Sequence, residues 1–80
     1  MRRIGKVTHI TDQGSVIVRT DRTPPMGAKV VDKRVNDVGV IVDVFGPVKE
    51  PYVAIRPAKG VEVSKLVDQV LYLYERRTQK

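Results

Sequence analysis

Residues 38–56 read VGVIVDVFGPVKEPYVAIR, and this stretch decides the fold. Valine occupies every second position of residues 38–45, which is the alternation expected of a β-strand with one face inside. A turn stiffened by Pro47 and Pro51 follows, and residues 52–56 form a second run of strand-forming residues. The stretch therefore predicts two strands joined as a hairpin with a rigid tip.

Three more strands are predicted on the N-terminal side of this hairpin, over residues 3–10, 15–20 and 28–32. Each is a run rich in β-branched residues and bounded by turn-forming residues. Pro24 and Pro25 cannot continue a strand ladder because proline lacks the amide hydrogen, so they mark a loop between the second and third strands.

The C-terminal third of the chain has two interpretations. Its apolar residues from Val63 onward have helical spacing, which would give an amphipathic helix over 64–77. Residues 69–74 also form a β-competent run with tyrosines two positions apart. We favour a short turn over 63–67 followed by a strand. Five or six short strands in so small a chain leave exposed edges unless they close, so we predict an all-β fold, a small closed barrel.

Composition agrees with strands in one small domain. The chain has 80 residues, with 16 valines and 5 isoleucines against 3 leucines and 3 alanines. This length suits a single domain over residues 1–80. The sequence has no cysteine and no run of about 18 apolar residues. The segment after Met1 lacks the apolar stretch of a signal peptide. We therefore expect a cytoplasmic protein that contacts no membrane.

The net charge of +6 is concentrated at the two ends of the chain, residues 1–6 and 76–80. Nine basic and nine acidic residues balance one another between Val7 and Glu75. The basic ends are either solvated and frayed or in contact with phosphate groups of RNA. The candidate RNA-contacting residues are Arg2, Arg3, Arg76 and Arg77.

The residues needed for catalysis are missing from the sequence. His9 is the one histidine and has no cysteine partner, so we interpret it as a residue of the sheet surface. The six glycines are scattered and form no phosphate-binding loop. We expect a protein that is not an enzyme and has no metal site, cofactor or small-molecule substrate.

The hairpin tip is unusually apolar for a turn that faces water. One interpretation is that its side chains cover an open end of the barrel. The other is that they form a preordered patch for a protein partner, with aromatic anchors and proline rigidity lowering the cost of binding. An aromatic platform for RNA has less support, because we interpret Tyr72 and Tyr74 as a core-facing or rim pair.

The sequence resembles the small β-barrel (Gar1-like) subunit of box H/ACA ribonucleoproteins along nearly its whole length. The matching motifs are RIGKV at 3–7, VVDKR at 30–34, VG-x-I-x-DVFGPV-x-x-PYVAI at 38–55 and VLY at 70–72. Relatives in eukaryotes carry Gly/Arg-rich tails, and this sequence, which has no Arg-Gly repeats, is similar to the archaeal form.

The resemblance implies a six-stranded barrel like those of translation elongation factors and the reductase-isomerase barrels. It also implies a non-catalytic subunit that binds the pseudouridine synthase catalytic subunit, meets guide and ribosomal RNA through the particle, and aids substrate loading and product release. Transferred by motif position, the candidate partner-binding residues are Val44, Phe45, Gly46, Pro47, Val48, Pro51 and Tyr52. The alternative is a stand-alone RNA-binding barrel that uses its basic ends.

Overall fold

The computed structural model describes residues 2–74 and contains six β-strands. The strands are β1 (Arg2–Ile10), β2 (Val16–Thr20), β3 (Lys29–Val31), β4 (Asp37–Phe45), β5 (Tyr52–Pro57) and β6 (Val70–Leu73). They form a closed antiparallel barrel in the order β1-β2-β5-β4-β3-β6, with β6 paired back to β1. The prediction of an all-β, closed six-stranded barrel is confirmed.

The C-terminal third contains a strand, as we favoured. A single 3₁₀ turn, Val63–Lys65, precedes β6, so the helix predicted over 64–77 is wrong for the residues described, which end at 74. Leu71 and Leu73 are buried with a period of two and fill the barrel. The tyrosines between and after them therefore do not face the core. Of the two placements predicted for Tyr72 and Tyr74, the core-facing one is wrong, whereas a rim position is not contradicted.

The interior is packed almost entirely with aliphatic side chains. Its members are Ile4, Val7, Val16, Val18, Val30, Val38, Ile41, Val53, Ile55, Leu66, Leu71 and Leu73. Valine predominates because β-branched side chains pack well on a pleated surface and lose little rotamer freedom there. In the part of the chain that the structure describes, no helix is long and apolar enough to cross a membrane.

The two longest strands, β1 and β4, have nine residues each and bend at β-bulges. In β1 the register shifts at Ile4 and at Thr8, and in β4 it shifts at Val38 and at Val42. A bulge adds one unpaired residue and bends the strand. Each long strand can therefore curve and pair with different neighbours along its length, which closes the barrel.

The valines of β4 do not all lie on the face that the sequence predicts, because the strand has bulges at Val38 and Val42. The valines of 38–45 were expected to share one face, but Val40 and Val42 are exposed whereas Ile41 is buried. An extra residue in a strand switches the side chains that follow it to the opposite face. The bulge at Val38 therefore turns Val40 outward and Ile41 inward, and the bulge at Val42 turns Val44 back towards the core.

Glycine follows the first bulge of each long strand and allows two backbones to approach closely. A Cβ atom on Gly5 would collide with the carbonyl oxygen of Arg19 in β2, and one on Gly39 would collide with the carbonyl oxygen of Arg56 in β5. The bulges and glycines of β1 recur in β4 exactly 34 positions later in the sequence. The strands β1, β2 and β3 thus correspond to β4, β5 and β6 around an approximate two-fold axis.

We expect Gly39→Ala to lower the free energy of unfolding by more than about 2 kcal/mol, because the new methyl group meets backbone that no side-chain movement can clear. Urea unfolding followed by far-UV circular dichroism measures this change. Gly14→Ala is the matched control. Gly14 has a positive φ of 86° but open space around its Cβ position, so this change should cost only about 1 kcal/mol. Equal losses in the two variants would contradict the close-approach explanation.

Candidate protein-docking surface

Two aromatic rings stack on the outer face where β4 ends and β5 begins. Phe45 and Tyr52 pair across the two strands, with ring centroids 5.8 Å apart and an angle of 24° between the planes. Phe45 remains 44% exposed and Tyr52 is half-buried. Aromatic side chains are enriched among the anchor residues of protein interfaces.

The position of Tyr52 depends on Gly46. Gly46 has a φ of 93°, which favours glycine, and a Cβ there would lie 3.0 Å from the Tyr52 ring. The missing side chain lets the ring lie against the backbone of the turn. The stacked pair is therefore shaped by the turn as well as by the strands.

The turn of residues 46–51 is tied to β2 at its second half. The Thr20 amide donates a hydrogen bond of 3.0 Å to the Pro51 carbonyl, and Arg19 forms an ion pair with Glu50. Both charged side chains are more than half exposed, so the ion pair adds little stability and the backbone contact holds the turn. With two prolines in addition, the turn has little conformational freedom to lose on binding.

The predicted partner-binding residues divide between burial and exposure. Val44 is half-buried against the core and Pro51 is buried, as the barrel-covering interpretation expects. Gly46, Pro47 and Val48 are exposed, and Val48 has 94% of its surface open to solvent. The structure thus brings Phe45, Tyr52 and the tip of the turn together on one surface and places the other two underneath it.

A groove of about 240 Å³ adjoins the stacked rings and includes residues that the sequence did not predict. It is lined by Thr8, His9, Thr11, Ile17, Phe45 and Tyr52. Ile17 pairs with Ala54 of β5, and both are buried on the outer side of the sheet, outside the core cluster. His9 lies exposed on the sheet surface, as interpreted from the sequence, 3.1 Å from the Thr8 hydroxyl. We call this groove together with Phe45, Tyr52 and residues 46–48 the docking surface.

A larger depression of about 700 Å³ runs along β1 and β2 but has a balanced charge. Three cations line it, Arg3, Lys6 and Arg19, and so do three carboxylates, Asp21, Glu50 and Asp68. Such a surface gives a phosphate chain no net electrostatic attraction. The depression is therefore a weak candidate for RNA.

The basic N-terminal residues Arg2 and Arg3 begin strand β1. Arg2 and Arg3 are exposed beside β6, opposite Leu73 and Tyr72. Arg76 and Arg77 lie outside the described residues. Within residues 2–74, no three side chains of the metal-ligating types lie close enough together to hold an ion.

The sequence matches a known family over nearly its entire length. Residues 1–79 fit the family described as the Gar1/Naf1 RNA binding region. The chain belongs to the Gar1 family. Two relatives, both uncharacterized archaeal proteins, support this assignment. One, from Methanothermobacter thermautotrophicus, is 33% identical over 88% of this chain and 76% of its own length. The other, from Methanocaldococcus jannaschii, is 40% identical over 74% of this chain and 73% of its own length.

Membership of the Gar1 family confirms the resemblance read from the motifs. The chain is therefore a small protein of an RNA-binding family that is related to box H/ACA ribonucleoproteins. This membership implies association with that particle and with RNA. The family is a non-catalytic one.

The opposite end of the Gar1-family barrel is a turn, residues 32–36, locked by one carboxylate. Asp32 Oδ1 accepts hydrogen bonds from the amides of Arg34 (2.8 Å) and Asn36 (2.9 Å), and Oδ2 accepts one from the Asn36 side chain. Partial burial opposes ionisation of Asp32, but these hydrogen bonds and the Arg34 charge outweigh it and hold the pKa of Asp32 below its usual range.

We expect the contribution of Asp32 to stability to depend on pH. Because its pKa is lower in the folded chain, the stabilisation is complete above the unfolded value of about 4 and disappears as pH falls through the folded value. Asp32→Ala should cost about 1 kcal/mol at neutral pH, and the difference from wild type should shrink in acid. Thermal unfolding of both proteins between about pH 7 and pH 3 measures it.

Asp12→Asn serves as the control, since it removes one negative charge from another turn of this basic chain. If Asp12→Asn lowered the stability as much as Asp32→Ala at neutral pH, the loss would reflect the change in net charge and not the hydrogen bonds of the turn.

Proposed function

We propose that this chain is the non-catalytic subunit of the H/ACA guide-RNA ribonucleoprotein that docks on the pseudouridine synthase catalytic subunit. In this role it aids loading of substrate RNA and release of product during pseudouridylation of ribosomal RNA. The observation that carries the proposal is the exposed Phe45–Tyr52 stack beside an apolar groove, in a chain of the Gar1 family.

The chemistry of the docking surface favours a protein partner. Its centre consists of two aromatic rings, a buried isoleucine and exposed turn residues, with threonines and a histidine at the edge. An apolar centre with a polar rim is the common anatomy of a protein interface. A specific interface of standard size would bury about 800 Å² on this side, which requires the turn of residues 46–51 as well as the groove.

The rigidity of the docking surface suits a subunit that acts on the conformation of its partner. The synthase would have a mobile loop that exchanges between an open and a closed state, and a docked barrel shifts that exchange only if it contacts the two states unequally. The turn of residues 46–51 is held at Pro51 and carries the exposed Val48, so it presents a fixed shape for one state to fit. Exchange of the synthase loop between its open and closed states would admit substrate and let product leave.

We expect Phe45→Ala and Tyr52→Ala each to weaken binding to an H/ACA-type pseudouridine synthase subunit by about 1 to 3 kcal/mol. Isothermal titration calorimetry at about 0.1 M and about 0.3 M salt measures the loss, and an apolar interface should tolerate the higher salt. Tyr74→Ala is the matched control, because it removes an exposed ring elsewhere on the barrel, directly after β6. If folded Phe45→Ala bound as tightly as wild type, the docking surface would be wrongly assigned.

A second measurement tests the role in loading and release. A reconstituted particle lacking this chain should lose more activity under multiple turnover than in a single turnover, because product release limits only the former. Equal losses in the two regimes would contradict a role in release. If the chain bound RNA strongly and the synthase not at all, the stand-alone RNA-binding alternative would replace the proposal.

A further inference from the structure

A small depression lies on the outer face where β3 meets β6, far from the docking surface. Its volume is about 160 Å³, and it is lined by Lys29, Val31, Val35, Asp37 and Tyr74. Val31 is buried although it stands outside the core cluster, so it forms the floor. Val35 and the 39%-exposed Tyr74 form apolar walls, and the charged groups of Lys29 and Asp37 belong to the rim.

The depression has the size and chemistry to take one planar base. A cavity of about 150 Å³ admits a benzene ring, so about 160 Å³ has room for a ring in an open site. Aromatic and aliphatic walls suit the faces of a base, and a carboxylate at the rim can accept a hydrogen bond from an amino group of the base.

Lys29 and Tyr74 are held side by side. The Tyr74 amide donates a hydrogen bond of 2.9 Å to the Lys29 carbonyl, and Lys29 Nζ lies 5.7 Å from the centroid of the Tyr74 ring. The ring offers a stacking surface and the ammonium group offers a charge for a phosphate next to it. Single-stranded nucleic acid is bound by this combination of aromatic rings and cations.

Two more cations, Lys33 and Arg34, stand at the tip of the adjoining turn. Both are exposed, and neither forms an ion pair with any residue in the range 2–74. The carboxylate of Asp32 is occupied by the amides of the turn and by the Asn36 side chain, so it holds the tip in place. The turn thus carries two exposed positive charges on a backbone that Asp32 holds in place, next to Val35 of the depression.

Val35 adds an independent indication that this end of the barrel binds something. Its φ is 65°, in the left-handed region that β-branched residues avoid, and its side chain is 48% exposed. Backbone strain of this kind occurs preferentially at binding sites. An exposed apolar side chain in a strained position, between a cationic tip and a ring-sized depression, is well placed to contact a base.

We propose that the depression between β3 and β6 binds an unpaired nucleotide of single-stranded RNA. The base contacts Val31, Val35 and Tyr74, while Lys29, Lys33 and Arg34 bind the neighbouring phosphates. This site goes beyond the proposed docking function and is separate from it, because the turn of residues 32–36 and Phe45 lie at opposite ends of β4, roughly 25 Å apart. One barrel can therefore hold a protein and an RNA strand at the same time.

Fluorescence anisotropy with a labelled, unstructured RNA of about 12 nucleotides tests the site on the full chain. Tyr74→Ala should weaken binding roughly tenfold without changing the salt dependence, since it removes stacking and no charge. Tyr74→Phe keeps the ring and should bind like wild type. The double variant Lys33→Ala/Arg34→Ala should weaken binding and make the slope of log affinity against log salt shallower by about 1.4.

Matched controls separate this site from the rest of the surface. Lys49→Ala/Lys59→Ala removes two exposed cations elsewhere, and Phe45→Ala removes a ring at the docking surface. Both should retain most of the wild-type RNA affinity. A duplex of the same length should bind more weakly than the single strand, because paired bases cannot enter the depression.

The proposal is overturned if wild type shows no measurable RNA affinity, or if folded Tyr74→Ala binds RNA as wild type does. Equal affinity for duplex and single strand would also overturn it, since that points to phosphate contacts alone. Loss of binding on replacing Arg2 and Arg3 with alanine, with Tyr74 and the turn unimportant, would place RNA at the N-terminal arginines instead. Synthase binding is measured on the same variants, and it tests the docking proposal separately from the RNA site.

Discussion

The barrel depends on two places where neighbouring backbones lie so close together that a Cβ atom would not fit between them. At Gly5 the chain of β1 lies against Arg19, and at Gly39 the chain of β4 lies against Arg56. Next to each glycine a bulge bends the long strand, so that one part pairs with one neighbour and the rest with another. Six short strands close into a barrel only because these two strands curve.

The approximate two-fold arrangement also explains where the docking surface lies. Ile17 and Ala54 are equivalent positions that pair with each other, so the axis passes between them. The corresponding hairpin tips differ, because residues 11–15 are polar whereas residues 45–48 carry exposed apolar side chains. The backbone is approximately symmetric and the side chains are not. The barrel therefore exposes an apolar surface near one hairpin and a polar surface near the other.

The sequence predicted the strands well because β-branched residues and turn-forming residues act locally. It did not predict which side chains of β4 face inside, because the bulges at Val38 and Val42 come from pairing with β3 and β5 and leave no mark in the alternation. The same limit applies to the groove. Ile17 belonged to a predicted strand, but its place in the groove depends on β2 lying beside β5. Neither stretch of sequence alone predicts that pairing. The depression between β3 and β6 could not be predicted either, because it forms only where these two strands pair.

The last strand of the barrel pairs with the first and with the third. β6 lies between β1 and β3, and Leu73 faces Arg2 across about 70 intervening residues of chain. During synthesis β1 is made before the other strands, and β6, its second partner beside β2, is made after all of them. The interior valines therefore stay uncovered until Leu71 and Leu73 have been synthesised, so the unfinished barrel exposes apolar surface to unwanted contacts until its sixth strand is present.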